Sequence, residues 1–253
     1  MKKAYFHFSP ELNVFLKPSM RGVAFEYSFN GPQSVKHLIE SLEVPHTEVS
    51  AVRANDLPVG FDYQVKQDDK VEVLGFSSPM MSPDPVSTPT EPGNSNEPIF
   101  ILDNHLGKLA SHLRMLGFDC LYSNNYQDEE LAQISQAEGR ILLTRDHRLL
   151  MRKSILQGYW LRSQDPRQQL SEILKRYDLF HLVKPFKRCM RCNQLLEPVS
   201  KQAILHRLQP LTIKYFNDFR LCPDCNQIYW QGSHYVKMLA VIKGIAQDLP
   251  KEP

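Results

Sequence analysis

Long apolar runs and an apolar amino terminus are both missing from this chain of 253 residues. No stretch approaches the roughly 20 consecutive apolar residues that cross a bilayer, so we expect no membrane span. The amino terminus starts with Met1, Lys2 and Lys3 and lacks the long apolar segment of a secretory signal. Together these absences indicate a cytoplasmic protein.

Cysteine is also scarce, with five in the whole chain. Four of them form two CxxC pairs, and 29 residues separate the pairs. Cytoplasmic thiols stay reduced, and a redox site needs one CxxC pair, so two pairs favour a metal site. Two pairs complete a closed tetrahedral shell, which is typical of structural zinc. The predicted zinc ligands are Cys189, Cys192, Cys222 and Cys225.

The long spacing between the two pairs exceeds that of a simple zinc ribbon. An inserted helix or hairpin around residues 203–214 would absorb the extra length. Cys120, the fifth cysteine, falls inside an apolar run and is predicted to be a buried small residue.

Net charge is small, +2 over the chain, but it is unevenly distributed. Residues 1–97 carry 8 Lys and Arg against 13 Asp and Glu, whereas residues 98–253 carry 22 against 15. The second part is therefore the better partner for a polyanion. A solvated surface of mixed charge explains the same excess equally well.

The first 76 residues read as strands on both sides of a single helix, an order of the ββαββ type. The helix begins after Ser34, a good N-cap, and its apolar positions recur at the spacing of one buried face. Residues 55–58 read as a turn. This order predicts a β-grasp, or ubiquitin-like, domain over residues 1–76. Strands are expected at 4–8, 12–16, 25–29, 49–54 and 71–74.

Two segments of this domain, VRANDLPV at 52–59 and KQDDKVEV at 66–73, resemble the sulfur-carrier β-grasp proteins. Those carriers work through a terminal Gly-Gly, whereas this chain continues past Gly75. We therefore do not expect sulfur carriage, and instead expect a docking or RNA-positioning domain that can also bind a partner protein. Residues 77–98 hold six prolines among Ser, Thr and Asn, which predicts a linker and a loosely tethered β-grasp domain.

Short apolar runs alternate with helical patterns through residues 99–183. This alternation predicts buried parallel strands in βαβ units, with ligands at the carboxyl ends of the strands. Asp103 and Asp146 follow two of these strands, and Asp128 starts a predicted helix. Three converging carboxylates suit Mg²⁺ or Mn²⁺, which can activate a water and stabilise the leaving oxygen of a phosphodiester.

Each of these aspartates has an alternative role, because an Asp after a strand can simply cap a helix. Glu129 and Glu130 read as solvated residues of a first helical turn, although either can exchange roles with Asp128. Asp165, followed by Pro166 and later Gln168, carries a complete N-cap signal, which we favour over metal ligation.

Four motifs in this region resemble the mut-seven C-terminal ribonuclease family: LGKLA at 106–110, LRMLGFD at 113–119, DEEL at 128–131 and GRILLTRD at 139–146. The resemblance implies a PIN-like fold followed by a zinc ribbon, preceded in some members by a β-grasp domain. It also implies metal-dependent RNA cleavage at Asp103, Asp128 and Asp146.

Other candidates keep two readings each. Arg114 and Arg145 can contact phosphate or form an ion pair with Asp119. Tyr229 and Trp230 can stack on unpaired bases or pack against a cysteine pair, and His234 can substitute for a cysteine ligand. A basic cluster can follow an RNA backbone. Its members are Lys184, Lys187, Arg188 and Arg191.

We therefore predict an α/β chain in three parts: a β-grasp domain (1–76), a PIN-like parallel-sheet domain (99–183) and a zinc-ribbon region (184–253), with the linker at 77–98. The predicted function is a Mg²⁺- or Mn²⁺-dependent ribonuclease. The alternative, from another functional class, is a non-catalytic RNA-binding adaptor that keeps the fold and the ribbon.

Overall fold

The computed structural model describes residues 1–76, 97–233, 235–237, 239, 240 and 244. Most of the predicted linker, 77–96, lies outside the described residues, and so does His234. Within the described ranges, no helix has the length and apolar character that a membrane span requires.

The chain divides into two compact units that each combine separate stretches of sequence. The first unit consists of Met1–Asn96 and Asp128–Trp160, and the second of Glu97–Gln127 and Leu161–Pro253. The predicted PIN-like region therefore contributes to both units. Residues 128–160 share the first unit with the amino-terminal domain. The rest of the region shares the second unit with the carboxyl-terminal ribbon.

A five-stranded mixed sheet forms the amino-terminal domain in the order β2-β1-β5-β3-β4. β1 is antiparallel to β2 and parallel to β5, and β3 is antiparallel to both β4 and β5. This arrangement is the predicted β-grasp fold. The strands are β1 (Lys2–Phe8), β2 (Phe25–Phe29), β3 (Val49–Ala54), β4 (Leu57–Val59) and β5 (Lys70–Gly75).

Helix α1 (Val35–Ser41) packs on this sheet because its apolar residues share one face. Ser34 caps it as predicted, and its hydroxyl oxygen accepts the backbone N–H of His37 at 3.2 Å. In β1, inward residues alternate with exposed ones, so that Phe6 and Phe8 are buried in the core. The apolar residues thus recur every 3.6 residues in the helix and every 2.0 residues in the strand, and this spacing locates the core of the domain.

One local expectation for this domain is wrong, and a second is confirmed only in part. The predicted strand at 12–16 is instead a 3-10 helix, Pro10–Val14, because Pro10 fixes φ at the first position of a helical turn. The predicted turn at 55–58 is shorter, since Asn55 and Asp56 alone adopt positive φ of 52° and 67°. The following residues already pair with β3.

Four short strands and three helices form the α/β part. β6 (Phe100–Leu102) is parallel to β7 (Cys120–Tyr122) in the second unit, and β8 (Ile141–Thr144) is parallel to β9 (Gly158–Trp160) in the first. All residues of β6 and β8 are buried, as continuous apolar runs predict. The helices are α2 (Gly107–Met115), α3 (Asp128–Glu138) and α4 (Pro166–Arg176).

Glycines end two of these helices. Gly117 follows α2 with φ +98° and Gly139 follows α3 with φ +65°, a left-handed conformation that glycine adopts readily at the end of a helix. The apolar residues Leu149, Leu150 and Ile155 predict a further helix from the sequence, but the structure has only a 3-10 turn there, Leu149–Met151. Its apolar residues are buried without the regular spacing that a longer helix needs.

A three-stranded antiparallel sheet in the order β10-β11-β12 forms the carboxyl-terminal ribbon. The predicted insertion between the cysteine pairs is present as two short helices, α5 (Lys201–Ile204) and α6 (Pro210–Tyr215). They precede the second cysteine pair and absorb the long spacing. The strands are β10 (Glu197–Val199), β11 (Phe219–Leu221) and β12 (Ile228–Tyr229).

Candidate metal centre and acidic strand ends

The four cysteines of the two CxxC pairs meet in the second unit, with their sulfur atoms all within 4.8 Å of one another. Sγ of Cys189 lies 3.4 Å from Sγ of Cys225, and Sγ of Cys192 lies 3.4 Å from Sγ of Cys222. Zinc–sulfur bonds of about 2.3 Å in a tetrahedron place the sulfurs about 3.8 Å apart. The sulfurs of these two pairs would move apart by a few tenths of an ångström, and small side-chain shifts would therefore place all four around one ion.

Each cysteine pair is held by the same backbone turn, which we call a knuckle (residues 189–194 and 222–227). The first cysteine of each knuckle donates its N–H to the carbonyl of a Gln five residues later, at 2.8 Å for Cys189 and 3.0 Å for Cys222. Asn193 and Asn226 close the turns in the left-handed conformation, with φ of 73° and 59°. Both knuckles read CxxCNQ, a repeat that our sequence reasoning did not use.

Tyr229 packs against this centre, which supports the packing reading of its aromatic ring. Its hydroxyl group lies 3.1 Å from Sγ of Cys189. Burial of the Cys189 thiol opposes its ionisation, but hydrogen bonds from Tyr229 and from the backbone of Cys192 and Arg191 lower its pKa to about 7. Cys189 therefore becomes a thiolate, the form that binds metal, more readily than an ordinary cysteine.

Arg114, in α2, supports the first knuckle from outside it. Its buried guanidinium donates to the carbonyl oxygens of Cys120, at 2.8 Å, and of Arg191, at 2.9 Å. Asn193 reaches the same strand, since its Oδ1 accepts the N–H of Cys120 at 3.0 Å and its Nδ2 donates to Asp119 at 2.9 Å. The first knuckle is thereby joined to α2 and β7.

The basic cluster beside this knuckle is largely engaged in ion pairs. Lys184 and Lys187 each lie 2.6 Å from a carboxylate oxygen of Glu97, and their hydrogen bonds lower the pKa of Glu97 to about 2. Arg188 pairs with Asp119 at 2.9 Å. The predicted ion pair of Asp119 therefore exists, but its partner is Arg188.

Asp103 and Asp146 each lie within two residues of the carboxyl end of a strand and form the same local turn. Asp103 directly follows β6 and is buried, and its Oδ1 accepts the N–H of His105 at 2.9 Å. Asp146 follows β8 by two residues and is exposed, and its Oδ1 accepts the N–H of Arg148 at 2.9 Å. The same turn, from a carboxylate to the N–H two residues later, thus fixes one oxygen of each side chain.

Asp128 is the first residue of α3, where its negative charge is favoured by the helix dipole. Arg152 lies 3.9 Å from its carboxylate and 2.5 Å from that of Glu129. Asp128 and Asp146 belong to the first unit and Asp103 to the second, so the convergence of the three on one ion stays a prediction.

Asp165 is an N-cap, as favoured from the sequence. Its Oδ1 accepts the backbone N–H of Arg167 at 2.7 Å and of Gln168 at 3.1 Å. These backbone hydrogen bonds lower the pKa of its carboxyl group. The residue is thus used to start α4.

Aromatic side chains line a cleft of about 600 Å³ on the ribbon. Its wall includes Phe186, Trp230 and Tyr235, with Asn217 and Arg220 as polar neighbours. The rings of Phe186 and Tyr235 lie 4.7 Å apart. Such a surface has both stacking and hydrogen-bonding groups.

Comparison with known protein families identifies two matches that cover most of the chain. The family described as Mut7-C RNAse domain matches residues 98–242, and the one described as Mut7-C ubiquitin matches residues 1–81. No curated protein and no solved structure matches the chain. Because the first match spans more than half of the sequence, the protein belongs to the Mut7-C RNAse domain family, with that family's ubiquitin-like domain in front of it.

Proposed function

We propose that this protein is a metal-dependent ribonuclease whose acidic site consists of Asp103, Asp128 and Asp146. The observation that carries the proposal is the matching turn that holds Asp103 after β6 and Asp146 after β8, each strand being parallel to a neighbour in its own unit. Ligand sites of open α/β sheets lie at such ends. Membership of the Mut7-C RNAse domain family supports the same activity.

The donor set fits Mg²⁺ or Mn²⁺, because carboxylate oxygens are the ligands that these hard cations prefer. When bound, such an ion stabilises negative charge that develops on a phosphodiester and favours ionisation of water. Asp103 and Asp146 would hold it through their carboxylates, which the local turns orient. Asp128, at the amino end of α3, would add a third carboxylate from a solvent-exposed position.

The four cysteines are assigned to a structural zinc ion. All four positions of a tetrahedron are filled by thiols, so no position remains for substrate. The ion would fix the two knuckles relative to each other. Its contribution is to the folding of the ribbon, since this part of the chain has a small apolar core of its own.

RNA contact is assigned to the aromatic cleft beside Trp230. Residues 184–244 carry ten Lys and Arg against three Asp and Glu, which favours a polyanion at this surface. Bases without partners can stack on aromatic rings. The cleft is also the observation that favours the second candidate function, an RNA-binding adaptor without cleavage.

The experiment that separates the two functions is cleavage of end-labelled single-stranded and structured RNAs by the zinc-loaded protein. Reactions contain Mn²⁺, Mg²⁺ or EDTA, and compare the wild type with Asp103→Asn, Asp128→Asn and Asp146→Asn. Asn keeps the oxygen that accepts the local N–H but removes the charge. We expect cleavage with either metal, none with EDTA, and losses of about 100-fold or more for Asp103→Asn and Asp146→Asn.

Asp165→Asn is the matched control, because Asn is as good an N-cap as Asp and the residue has no assigned role in the acidic site. Its cleavage rate should equal that of the wild type. RNA binding without cleavage, in a folded and zinc-loaded wild type, would favour the adaptor. Equal activity of wild type and Asp146→Asn would contradict the proposed acidic site.

A further inference from the structure

The β-grasp domain contacts the α/β segment of its own unit through a buried histidine. His46 is 6% exposed, and its Nδ1 lies 2.7 Å from a carboxylate oxygen of Glu40. Its Nε2 lies 2.8 Å from the carbonyl oxygen of Ile155, which follows β8 in the chain. The expectation of a loosely tethered β-grasp domain is therefore wrong.

A second contact leads from the β-grasp domain to the strand end that carries Asp146. Glu48 is 4% exposed, and one of its carboxylate oxygens accepts the backbone N–H of Trp160 at 2.8 Å. The indole N–H of Trp160 in turn donates to the carbonyl oxygen of Arg145 at 3.0 Å. Arg145 immediately precedes Asp146.

A third contact reaches the residue that follows Asp146. The ring of Phe15 lies 5.1 Å from that of Trp160 and 6.1 Å from that of His147, and the rings of His147 and Trp160 are 5.6 Å apart. Nε2 of His147 also lies 3.8 Å from a carboxylate oxygen of Glu43. Both chain neighbours of Asp146 are thus held by groups that connect to the β-grasp domain.

We propose that the β-grasp domain is a positioning element for the Asp146 loop, defined as residues 145–148. Phe15 and Glu48 are its positioning residues, and they act through Trp160 and His147 without touching the reacting atoms. The inference deepens the proposed function and rests on it, because it assigns to this domain the placement of one carboxylate of the acidic site. A displacement of about 1 Å in such a site costs roughly 100-fold in rate.

Simple domain packing would produce the same contacts, so the test must separate local order from overall stability. Two amides report on the loop directly: the N–H of Asp146, bonded to Oγ1 of Thr144 at 2.9 Å, and that of Arg148, bonded to the Asp146 carboxylate. Hydrogen exchange of these amides measures local opening. A peptide from the ribbon provides the internal reference.

The experiment compares hydrogen exchange and RNA cleavage in the full, zinc-loaded chain for Phe15→Ala, Glu48→Ala and Glu48→Gln. We expect exchange in the Asp146 loop to rise about tenfold in both alanine variants, with the ribbon peptide unchanged. Their kcat should fall roughly 10- to 100-fold while the KM for RNA stays within about twofold. Glu48→Gln keeps an acceptor for the Trp160 N–H. In this variant, hydrogen exchange in the Asp146 loop and kcat should both return most of the way to their wild-type values.

Val14→Ala is the matched control, since Val14 is the exposed last residue of the 3-10 helix, immediately precedes Phe15 and should match the wild type. Unchanged loop exchange in Phe15→Ala and Glu48→Ala would overturn the positioning role whether or not the protein cleaves RNA. Equal increases of exchange in the loop and in the ribbon would also overturn it, because they indicate a general loss of stability. If the loop responds as expected but the wild type does not cleave RNA, the proposed function fails and the control of the loop stands.

Discussion

The two knuckles have the same CxxCNQ sequence and the same backbone turn but very different surroundings. Asn193 is buried and bonds to Cys120 and Asp119, more than 70 residues earlier in the chain. Asn226 is exposed, and its side-chain oxygen accepts from the nearby Arg207 at 3.0 Å. The first knuckle therefore has two functions, to supply thiols and to join the ribbon to α2 and β7.

This difference shows that identical metal-binding turns contribute unequally to the fold. The cysteines should be equivalent, because each completes the same shell. The groups around the first knuckle should matter far more than their counterparts elsewhere, since they are buried and link distant parts of the chain. Paired substitutions at matched positions test this directly.

The largest effect is expected from removal of a thiol, and it should be equal for the two knuckles. Cys189→Ser and Cys222→Ser should each abolish binding of zinc and unfold the ribbon, because structural zinc contributes about 10 kcal/mol or more to such folds. Zinc content by mass spectrometry and unfolding by circular dichroism measure this. Cys120→Ala, at the buried fifth cysteine, should keep one zinc per chain. Retention of zinc by either serine variant would contradict the assigned shell.

A smaller effect is expected at the two glycines that end helices. Gly117→Ala would place a Cβ 2.3 Å from the carbonyl oxygen of Lys184, ahead of the first knuckle, whereas Gly139→Ala meets no atom within 4 Å. Both variants force a left-handed alanine, which costs about 1 kcal/mol. Gly117→Ala should cost about 3 kcal/mol in total. Urea unfolding measures the free energy of unfolding of both variants. Equal losses would contradict this prediction, because they would show that the backbone at Lys184 shifts to accommodate the added Cβ.

Next in size is the difference between the two asparagines. Glycine accepts the positive φ at both positions, so Asn193→Gly and Asn226→Gly isolate the side-chain hydrogen bonds. Asn193→Gly should lose about 2 kcal/mol, since it removes the side-chain hydrogen bonds to the N–H of Cys120 and to Asp119. Asn226→Gly should change stability by about 0.5 kcal/mol or less. Equal values from urea unfolding would remove the proposed asymmetry.

The smallest effect concerns the ion pairs of Glu97 with Lys184 and Lys187, which precede the first knuckle. The pKa of Glu97 is lowered from 4.5 to about 2, so its stabilising contribution is complete above pH 4.5 and disappears as the pH falls to 2. Because the pairs are partly exposed, Glu97→Gln should cost about 1 kcal/mol at pH 7.

Urea unfolding of wild type and Glu97→Gln between pH 7 and pH 2 measures this contribution. The difference in the free energy of unfolding should vanish at the acidic end and shrink in high salt. The exposed Glu197→Gln is the matched control and should show no such difference. A difference that persists at pH 2 would assign the effect to packing.

Much of the fold follows from local sequence signals. The N-caps at Ser34 and Asp165 and the left-handed glycines at 117 and 139 are each determined by residues within one helical turn. The strand expected at 12–16 failed because its alternating apolar pattern competes with Pro10, which starts a helical turn instead. Local conflicts of this kind are not resolved by periodicity alone.

The cysteine site was predictable because each knuckle supplies two ligands from one short turn. The roles of Arg114 and Glu97 were not, since their partners lie more than 70 residues away in the chain. A single sequence does not show which distant carbonyl or ammonium group meets a given side chain. The repeated Asn of CxxCNQ is the one signal that was available and unused.

The central claim is that Asp103 and Asp146 serve one metal ion, and a double-mutant cycle in RNA cleavage tests it most directly. Rates at saturating Mn²⁺ are measured for the wild type, Asp103→Asn, Asp146→Asn and the double variant. Residues that act as a unit lose activity non-additively. We predict that each single variant is at least about 100-fold slower and that the double variant is no slower than the worse single one. Losses that multiply in the double variant, or a single variant as fast as the wild type, would contradict the account.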